Sequence, residues 1–421
     1  MKKHVWILNH YAGGMLFDKG GRHYNFAKWL KKAGYEPVIF CCNAMHGKAE
    51  RFYDTEDLWH AHQAEEIDVP FVFVRGRTYT GNGKQRVLNM VDFYRNVQKA
   101  AKEYAARNGK PDVIYASSVH PLTLVAGIRL AKHFGVECVC EVRDLWPESI
   151  VEFSSRLTKK NPLIRLLYQG EKWIYKKADK LIFTMAGGGN YITDQGWDTA
   201  HGGPIDLQKV YHINNGVELE KFNADREQFQ IRDSDLEDPA LFTVCFAGTL
   251  VRSNNIDGLL DLAKRLQTKP DIRFLIWGNG ESREEMLDRI RDEHISNVLY
   301  KGTVEKKYIP YIVSHCSLNL MHAAPTGLYR YGASPNKLFD YFAAEKPILQ
   351  DFTYYGDLVE RYGCGAVCEW DLDNVTAAVE RLYSLSENAR ADIQSNCRAA
   401  AHDYDFAMLT KQLIQVIEGS K

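Results

Sequence analysis

Short apolar runs alternate along the chain with longer segments in which apolar positions recur every three to four residues. In the first half, this pattern predicts strands over 5–8, 36–41, 112–115, 136–142 and 180–183. Helices are predicted between them, over 22–32, 93–106 and 122–133. Strands that alternate with helices indicate a parallel sheet covered on both faces.

The series restarts in the second half, after a loop-rich stretch over 187–204. Strands are predicted over 211–213, 243–247, 274–277, 298–300 and 317–321, and helices over 256–266 and 284–293. The polar, acidic segment 216–239 is expected to be loop. We therefore predict an α/β protein with a Rossmann-like domain over 1–207 and a second one over 208–402. A C-terminal helix over 403–421 is expected to pack back on the first domain.

Charge and composition exclude several classes of protein. The 421 residues carry 53 basic and 54 acidic side chains, a balance that gives no overall signal for nucleic-acid binding. Residues 1–210 nevertheless carry a net charge of +8 and the remainder −9. Nine cysteines in mostly apolar contexts indicate reduced, buried thiols and a cytoplasmic protein. Because no signal-peptide pattern and no apolar stretch of about 20 residues occurs, any membrane contact is expected to be peripheral.

Ligands of parallel sheets bind where strands end, so the loops after strands are the candidate sites. After the first strand come His10 and then Gly20, Gly21, Arg22 and His23, which open a helix. No G-x-G-x-x-G dinucleotide-binding pattern fits this segment, which argues against an oxidoreductase that uses a nicotinamide or flavin cofactor. The paired glycines either form a plain turn or present amides to an anionic or hydroxyl-rich ligand.

Two further loops of the first half carry side chains suited to chemistry. Arg143 and Asp144 follow the strand over 136–142, and His120 follows the strand over 112–115. These residues either stabilise their loops or act on a substrate. The near-neutral pKa of an ordinary histidine suits His120 to proton transfer.

Glycine-bearing loops follow two strands of the second half. One contains Gly248, Thr249, Arg252 and Asn254, and the other runs over 278–280 as Gly278-Asn279-Gly280. Such loops let backbone amides approach a phosphate, although tight turns use the same residues.

The most specific local motif runs from Tyr329 to Tyr341. Ser334 is expected to be the N-cap of a helix with Pro335 at its first position. The helix terminus, with Arg330 and Lys337, would bind a diphosphate, and Asp340 would reach a ribose. A well-capped helix without a ligand is the alternative.

With these motifs in this order, the chain resembles glycosyltransferase family 4, the retaining GT-B-fold transferases that use nucleotide-sugar donors. The resemblance rests on 9–11, 20–23, 141–148, 213–217 and 334–347. It is strongest to the bacterial branch that builds capsule and O-antigen polysaccharide in lipopolysaccharide biosynthesis, including fucosamine- and N-acetylhexosamine-type transferases. It implies two Rossmann-like domains with parallel sheets facing across a cleft.

The resemblance also implies residue roles. His120 would lie near the donor sugar, and Asp144 would orient the acceptor. The acceptor would contact His10, Gly20, Gly21, Arg22, His23 and Arg143. The nucleotide sugar would contact Gly248, Thr249, Arg252, Asn254, Gly278, Asn279, Gly280, Gly302, Thr303, Val304, Arg330, Tyr331, Gly332, Ala333, Ser334, Asn336, Lys337 and Asp340. Family members carry two carboxylates eight residues apart; here Asp340 matches the second, but Gly332 stands in place of the first.

The resemblance implies a reaction without metal or other cofactor. The departing diphosphate would accept the proton of the acceptor hydroxyl, while the protein positions the substrates and stabilises the developing charge. A UDP-sugar donor and a polyprenyl-diphosphate-linked saccharide acceptor are expected. Two alternatives remain open: a UDP-sugar 2-epimerase of the same fold, and a non-catalytic nucleotide-sugar-binding protein, for which the missing carboxylate at Gly332 is the main argument.

Two basic segments in the first half of the chain suggest where this half contacts a membrane. Residues 156–180 contain eight basic and two acidic residues, and residues 75–110 contain nine and two. Apolar residues are interleaved in both segments, so they either form solvated helix faces or bind an anionic leaflet. We expect peripheral association with the inner face of the plasma membrane.

Overall fold

The computed structural model describes residues 3–118, 120–154 and 156–419, so Val119 of the His120 loop and the first and last two residues of the predicted domain ranges lie outside the described residues. The chain divides into two compact units: residues 1–214 with 406–421, and residues 215–405. The prediction of two α/β units built on parallel sheets is confirmed. The observed division after Asn214 lies seven residues beyond the predicted one after 207.

The first unit is an eight-stranded sheet with helices. Its strands are β1 His4–Leu8, β2 Glu36–Cys42, β3 Trp59–Ala64, β4 Val69–Val74, β5 Val113–Ser117, β6 Glu137–Val142, β7 Lys180–Phe183 and β8 Val210–His212. Its helices are α1 Gly13–Phe17, α2 Arg22–Lys32, α3 Lys84–Asn108, α4 Pro121–Phe134, α5 Glu148–Phe153, α6 Pro162–Lys177 and α7 Gly188–Asp194. The strand order is β3-β4-β2-β1-β5-β6-β7-β8.

Three features of this unit differ from the sequence prediction. The strand expected to open the second domain is β8, which pairs with β7 through Leu181 and Val210, and this pairing moves the boundary. Strands β3 and β4 form an antiparallel hairpin that was not predicted. Helix α7 occupies a segment expected to be loop.

The second unit is a six-stranded parallel sheet between two helical layers. Its elements are α8 Leu219–Gln228, α9 Ser234–Glu237, β9 Phe242–Ala247, α10 Ile256–Leu266, β10 Ile272–Trp277, α11 Arg283–Asp292, β11 Val298–Gly302, α12 Ile309–His315, β12 Leu318–Met321, α13 Asn336–Ala344, β13 Ile348–Gln350, α14 Leu358–Tyr362, β14 Gly365–Val367, α15 Leu372–Tyr383 and α16 Glu387–Asp403. The order is β11-β10-β9-β12-β13-β14.

Separate apolar clusters cover the two faces of this sheet. One contains Leu338 and Phe342 of α13, and the other contains Leu259 and Leu262 of α10. Helix α8 occupies part of the segment 216–239 that was predicted to be loop. Its sequence is mostly polar, and the burial of Phe222 anchors it to the unit. The parallel strands all end on the same edge of the sheet, where the glycine-bearing loops lie.

The last helix, α17 Phe406–Glu418, belongs to the first unit, three residues beyond the start predicted for a C-terminal helix. It packs on α2, where the rings of Phe406 and Phe26 meet edge to face at 5.4 Å. Tyr35 donates a hydrogen bond to Glu418 at 2.7 Å.

All nine cysteines are free thiols, and eight of them are buried. Within the described part of the chain, no helix combines the length and apolar character needed to cross a membrane.

Candidate active site

A buried carboxylate, Glu141, organises the strand ends of the first unit. Arg22 donates to it from two nitrogens, at 2.8 and 2.6 Å, and Ser117 donates from its hydroxyl at 2.8 Å. Tyr115 and His23 complete the cluster. Burial alone would raise the pKa of Glu141, but the charge of Arg22 and the hydrogen bond from His23 hold it well below its ordinary 4.5.

This network gives Arg22 and His23 a different position from the predicted one. Arg22 also donates to the carbonyl oxygens of Ile213 and Asn214, and the Nδ1 atom of His23 contacts Asn9 at 2.8 Å. Both side chains are buried. We therefore correct their prediction as acceptor ligands: they anchor the strand ends beneath the site. Gly21 begins α2 at φ +102°, and Gly20 donates its amide to Met15.

His10 and His120 form a buried pair. The Nδ1 atom of His10 lies 2.6 Å from the Nε2 atom of His120, so one ring donates and the other accepts. Burial, followed by the charge of Arg86, lowers the pKa of His120 to about 3. The near-neutral pKa expected for His120 is therefore wrong. Its Nδ1 atom has no hydrogen-bond partner among the described residues.

The loop after β6 presents Asp144 at the surface. The Arg143 amide donates to the Ser118 hydroxyl at 3.0 Å, which fixes the loop to the end of β5. Asp144 is exposed and lines a small cavity together with His120 and Trp146. Glu148, by contrast, is buried and pairs with Lys159 at 2.9 Å. Asp144 is thus the accessible carboxylate of this loop.

Two glycine loops pack against each other at the strand ends of the second unit. The Gly248 amide donates to the Trp277 carbonyl at 3.0 Å, and the Leu250 amide donates to Asn279 at 3.0 Å. A β-carbon on Gly278 would lie 1.8 Å from the Gly248 oxygen, and one on Gly280 would lie 2.1 Å from the Leu250 oxygen. Only glycine permits this close approach.

Replacing Gly278 by alanine is expected to destabilise the protein by about 2–3 kcal/mol. The methyl group of the alanine would clash with the backbone of Gly248, and the φ of +147° at this position is strained for residues other than glycine. Gly302→Ala is the control, because Gly302 has φ +75° and open space, so only about 1–2 kcal/mol is expected. Urea unfolding of the two variants and of the wild type measures both changes in the free energy of unfolding. Equal effects of the two variants would contradict the packing argument.

The turn before α13 differs from the prediction. The helix begins at Asn336, Pro335 precedes it, and no side chain caps it. Ser334 is not the N-cap, because its hydroxyl accepts a hydrogen bond from the Asn215 amide at 2.9 Å, while the Asn215 side chain donates to the Ser334 carbonyl at 2.7 Å. Ser334 therefore ties this turn to the start of the second unit.

The remaining residues of the turn surround the helix start. Gly332 has φ +97° and its amide donates to the Tyr329 carbonyl at 2.9 Å, and Ala333 packs partly against the core. Tyr331 is buried, and the Arg330 guanidinium lies 4.8 Å from its ring centre. Asn336 is exposed.

The side chain of Lys337 reaches the glycine loops from helix α13. Its Nζ atom is shielded from solvent, has no hydrogen-bond partner among the described residues, and lies 4.6 Å from the Phe246 ring centre. A β-carbon on Gly248 would be 3.8 Å from that Nζ atom. Burial lowers the pKa of Lys337 to about 8, which leaves a mostly charged but poorly solvated ammonium group at neutral pH.

One turn further along α13, burial raises the pKa of Asp340 to about 6, although the charge of Lys306 acts to lower it.

The loop after β9 carries two further predicted donor residues. Arg252 is exposed, and the Asn254 side chain donates to the Thr249 carbonyl at 2.6 Å. Gly302 accepts from the Gly278 amide at 2.9 Å, Thr303 is exposed, and Val304 packs against the core. The predicted donor residues thus share one sheet edge.

A buried pair at this edge, His322 and Asp351, was not among the predicted site residues. The two side chains are hydrogen-bonded through Nδ1 of His322, whose Nε2 atom donates to the Asn255 carbonyl at 2.6 Å. Asn255 has φ +45°, so His322 holds the loop that carries Arg252 and Asn254. Each residue directly follows a strand, β12 or β13, which is the signal that could have identified them.

The sequence and the structure both resemble known proteins. Residues 21–202 match the family described as Glycosyl transferase 4-like domain, and residues 227–402 match Glycosyl transferases group 1. No curated protein matches the sequence.

Three solved structures illustrate the likeness of fold. Sucrose-phosphate synthase from Thermosynechococcus elongatus is 14% identical, with 99% of each chain covered and a TM-score of 0.70. An alpha,alpha-trehalose-phosphate synthase (UDP-forming) from Burkholderia vietnamiensis is 14% identical, with 100% of this chain and 99% of that chain covered and a TM-score of 0.70. Anabaena HepE in complex with UDP is 15% identical, with full coverage of both chains and a TM-score of 0.62. At these identities the likeness shows the fold alone.

Proposed function

The chain is a glycosyltransferase of the GT-B fold, and we propose that it moves a hexose, N-acetylated or amino-substituted, from a UDP-sugar to a lipid-linked saccharide with retention of anomeric configuration. The predicted fold class and enzyme class are both confirmed by the two family matches. The sugar, the acceptor and a role in capsule or O-antigen polysaccharide synthesis are parts of the proposal.

The observation that supports the donor site is the buried ammonium group of Lys337 beside Gly248, which has no hydrogen-bond partner among the described residues. A buried cation without a partner is costly, and a diphosphate would supply the missing hydrogen bonds. The exposed guanidinium of Arg252 adds further donors. UDP is favoured as the nucleotide because Anabaena HepE binds UDP and UDP-glucose.

In the proposed reaction the acceptor oxygen attacks the anomeric carbon on the face from which UDP departs. The bond between that carbon and the β-phosphate oxygen breaks, and this oxygen takes the proton of the acceptor hydroxyl. Lys337 and Arg252 stabilise the negative charge that develops on the diphosphate. No metal ion or cofactor is included in this proposal.

Residues of the first unit position the other reactant. Asp144 is exposed at a strand end and accepts a hydrogen bond from the acceptor hydroxyl, while Arg143 borders the same loop. Burial keeps the pKa of His120 at about 3, and its Nδ1 atom, which has no partner in the described part of the chain, is proposed to bond a sugar hydroxyl. The basic segments 156–180 and 75–110 bind the cytoplasmic, anionic face of the plasma membrane, where the acceptor is presented.

Calorimetric titration of the full chain with UDP, GDP, UDP-glucose and UDP-N-acetylglucosamine in metal-free buffer tests the donor. We expect UDP and a UDP-sugar to bind without metal; binding only with added Mg²⁺ or Mn²⁺ would overturn the metal-free mechanism. Product analysis tests the reaction. UDP release that requires an acceptor indicates transfer, whereas isomerised UDP-sugar without acceptor indicates an epimerase.

The Asp340→Ala variant tests the remaining alternative, a non-catalytic binding protein. We expect loss of transfer with the fold intact, because the proposed ribose contact at Asp340 positions the donor. If wild-type protein binds a UDP-sugar but neither transfers nor hydrolyses it with any lipid-linked saccharide, the binding-protein alternative is favoured.

A further inference from the structure

Aromatic rings form a continuous stack at the strand ends of the first unit. The ring centre of His10, which follows β1, lies 4.4 Å from that of Phe93 on α3 and 4.5 Å from that of Tyr11. The Tyr11 ring lies 4.5 Å from the ring of His46, in the loop after β2. Phe93 and His10 are buried, whereas His46 is exposed. The stack therefore connects the core to the edge of the sheet at which ligands bind.

A half-buried guanidinium group lies beside this stack. Arg86 belongs to the first turn of α3, and its guanidinium carbon lies 5.9 Å from the centre of the Tyr11 ring. Its Nε atom donates to the Tyr11 hydroxyl at 3.4 Å, and its Nη1 atom donates to the Asn82 side chain at 2.7 Å. These two contacts hold the group in place. Its other N–H donors have no partner among the described residues.

The charge of Arg86 is not balanced by any carboxylate in the described part of the chain, where it makes no ion pair. The first turn of α3 contains no acidic residue, and it carries a second basic residue, Lys84. A partly desolvated cation that is held by neutral partners keeps its capacity to bind an anion.

The stack also reaches the small cavity beside Asp144. The Nδ1 atom of His10 lies 2.6 Å from the Nε2 atom of His120, and His120 lines that cavity together with Asp144. The buried Nδ1 atom of His120 has no hydrogen-bond partner among residues 3–118, 120–154 and 156–419. A ligand hydroxyl would remove the cost of this unmet hydrogen bond. The Arg86 cluster consists of His10, Tyr11, His46, Arg86 and His120.

The three histidines of the Arg86 cluster are uncharged at neutral pH. Burial lowers the pKa of His10 and of His46 below the ordinary value of 6.5, and it lowers the pKa of His120 to about 3. The charge of Arg86 lowers the pKa of each ring further. Arg86 therefore supplies the positive charge of the cluster, while the imidazole rings offer uncharged hydrogen-bonding atoms and aromatic faces.

We propose that the Arg86 cluster binds a saccharide unit that carries an acidic group, with the anion at Arg86 and the sugar ring against the exposed ring of His46. The proposal rests on the proposed function, because it describes the acceptor unit that lies next to the Asp144 loop. A hexuronate carboxylate and a sugar phosphate share the required chemistry, since both offer oxygens that a guanidinium group binds. A neutral hexose would leave the charge of Arg86 unbalanced.

Calorimetric titration of the full chain tests this specificity. Methyl β-glucuronide and glucose 6-phosphate supply the two kinds of acidic group, methyl β-glucoside is the neutral analogue, and inorganic phosphate lacks the sugar. A hydrogen bond to a charged group typically changes an affinity ~10-fold or more. We therefore expect an acidic sugar to bind at least ~10-fold more tightly than the glucoside and more tightly than inorganic phosphate. The acidic sugar with the higher affinity identifies the acidic group.

Variants of two arginines on the same helix locate the site. Arg86→Met keeps most of the apolar stem and should abolish the preference for the acidic sugar, whereas Arg86→Lys should retain part of it. Arg95→Met is the matched control, because Arg95 is exposed further along α3, and it should keep the wild-type preference. His46→Ala should weaken binding of the acidic and the neutral sugar alike. Melting temperatures should be maintained in these variants.

Equal affinity of the wild type for the acidic sugars and the glucoside would overturn the proposal. So would a preference for acidic sugar that survives Arg86→Met, or glucose 6-phosphate that binds no more tightly than inorganic phosphate while the glucuronide does not bind. If Arg86→Met lowers sedimentation with anionic liposomes and leaves sugar binding unchanged, Arg86 contacts a bilayer instead.

UDP titration and acceptor-dependent release of UDP are measured in parallel. Protein that binds an acidic sugar through Arg86 but does not bind UDP would contradict the proposed function and leave the Arg86 cluster as a sugar site. Protein that binds UDP but shows no preference for acidic sugars would contradict this inference alone.

Discussion

Replacing Lys337 by methionine is expected to lower kcat/KM for transfer by about 100- to 1,000-fold, the cost of removing one donor that stabilises developing negative charge. Methionine keeps most of the apolar stem of the side chain and removes the ammonium group, which lies 4.6 Å from the Phe246 ring centre. The lost ammonium group has no partner among the described residues, and its removal should leave the stability of the second unit unchanged or increased. UDP affinity should fall with the activity.

The pH dependence of UDP binding checks the same assignment. Burial lowers the pKa of Lys337 to about 8 in the free protein, so the group is charged below this pH and loses its charge above it. UDP affinity of the wild type should therefore decrease as the pH rises beyond 8, and Lys337→Met should lose this dependence. Lys264→Met, which removes an exposed lysine paired with Glu293 at 3.0 Å, is the control. A folded Lys337→Met variant with near-normal kcat/KM would contradict the proposed role of Lys337 in stabilising the departing diphosphate.

Replacing Glu141 by glutamine is expected to destabilise the first unit by about 3–5 kcal/mol, the cost of leaving a buried charge without its partner. Arg22 would keep its charge in a site that is 4% exposed, and Tyr115 and Ser117 would face a weaker acceptor. Hydrogen exchange of the β5 and β6 amides measures this loss for the first unit separately from the second.

The control lies on the same strand. Glu137 is exposed and pairs with Lys180 at 2.6 Å, so Glu137→Gln should cost no more than about 0.5 kcal/mol. The lowered pKa of Glu141 adds a sign test: its stabilisation is complete above the unfolded-state value near 4.5 and is lost as the pH falls towards the folded-state value. The difference between wild type and Glu141→Gln should therefore shrink in acid. A constant difference across that range would argue against the ion pair.

Regular elements with strong patterns were predicted closely from the sequence. The bounds of α2, α10 and β7 agree with the prediction. In amphipathic helices and buried parallel strands, the spacing of apolar residues shows the type of element and where it ends. The hairpin strand β3 was missed because its residues include His60, His62 and Gln63, which are polar and lie at a sheet edge. Strands β13 and β14 are three residues long, too short for a period.

The candidate site follows the same division. The loops after strands were predictable, and the donor residues around Gly248, Gly278 and Lys337 do lie at one edge of the second sheet. The individual partners were not. Sequence position alone does not show that the Ser334 hydroxyl accepts a hydrogen bond from Asn215 instead of capping α13. Nor does it show that the side chains of Arg22 and His23 are hydrogen-bonded to Glu141.

The amino-acid sequence by itself determined the α/β class, the two repeating series of strands and helices, and the loops in which chemistry should lie, since these depend on local periodicity and on glycine and charge spacing. The tertiary structure alone decided which polar groups are satisfied internally and which remain available. That distinction depends on burial and on partners more than a hundred residues apart, as in the pairs His10–His120 and Arg22–Glu141. It also decided that the Nζ atom of Lys337 lies beside the glycine loops with no hydrogen-bond partner among the described residues, and that burial lowers the pKa of His120 to about 3.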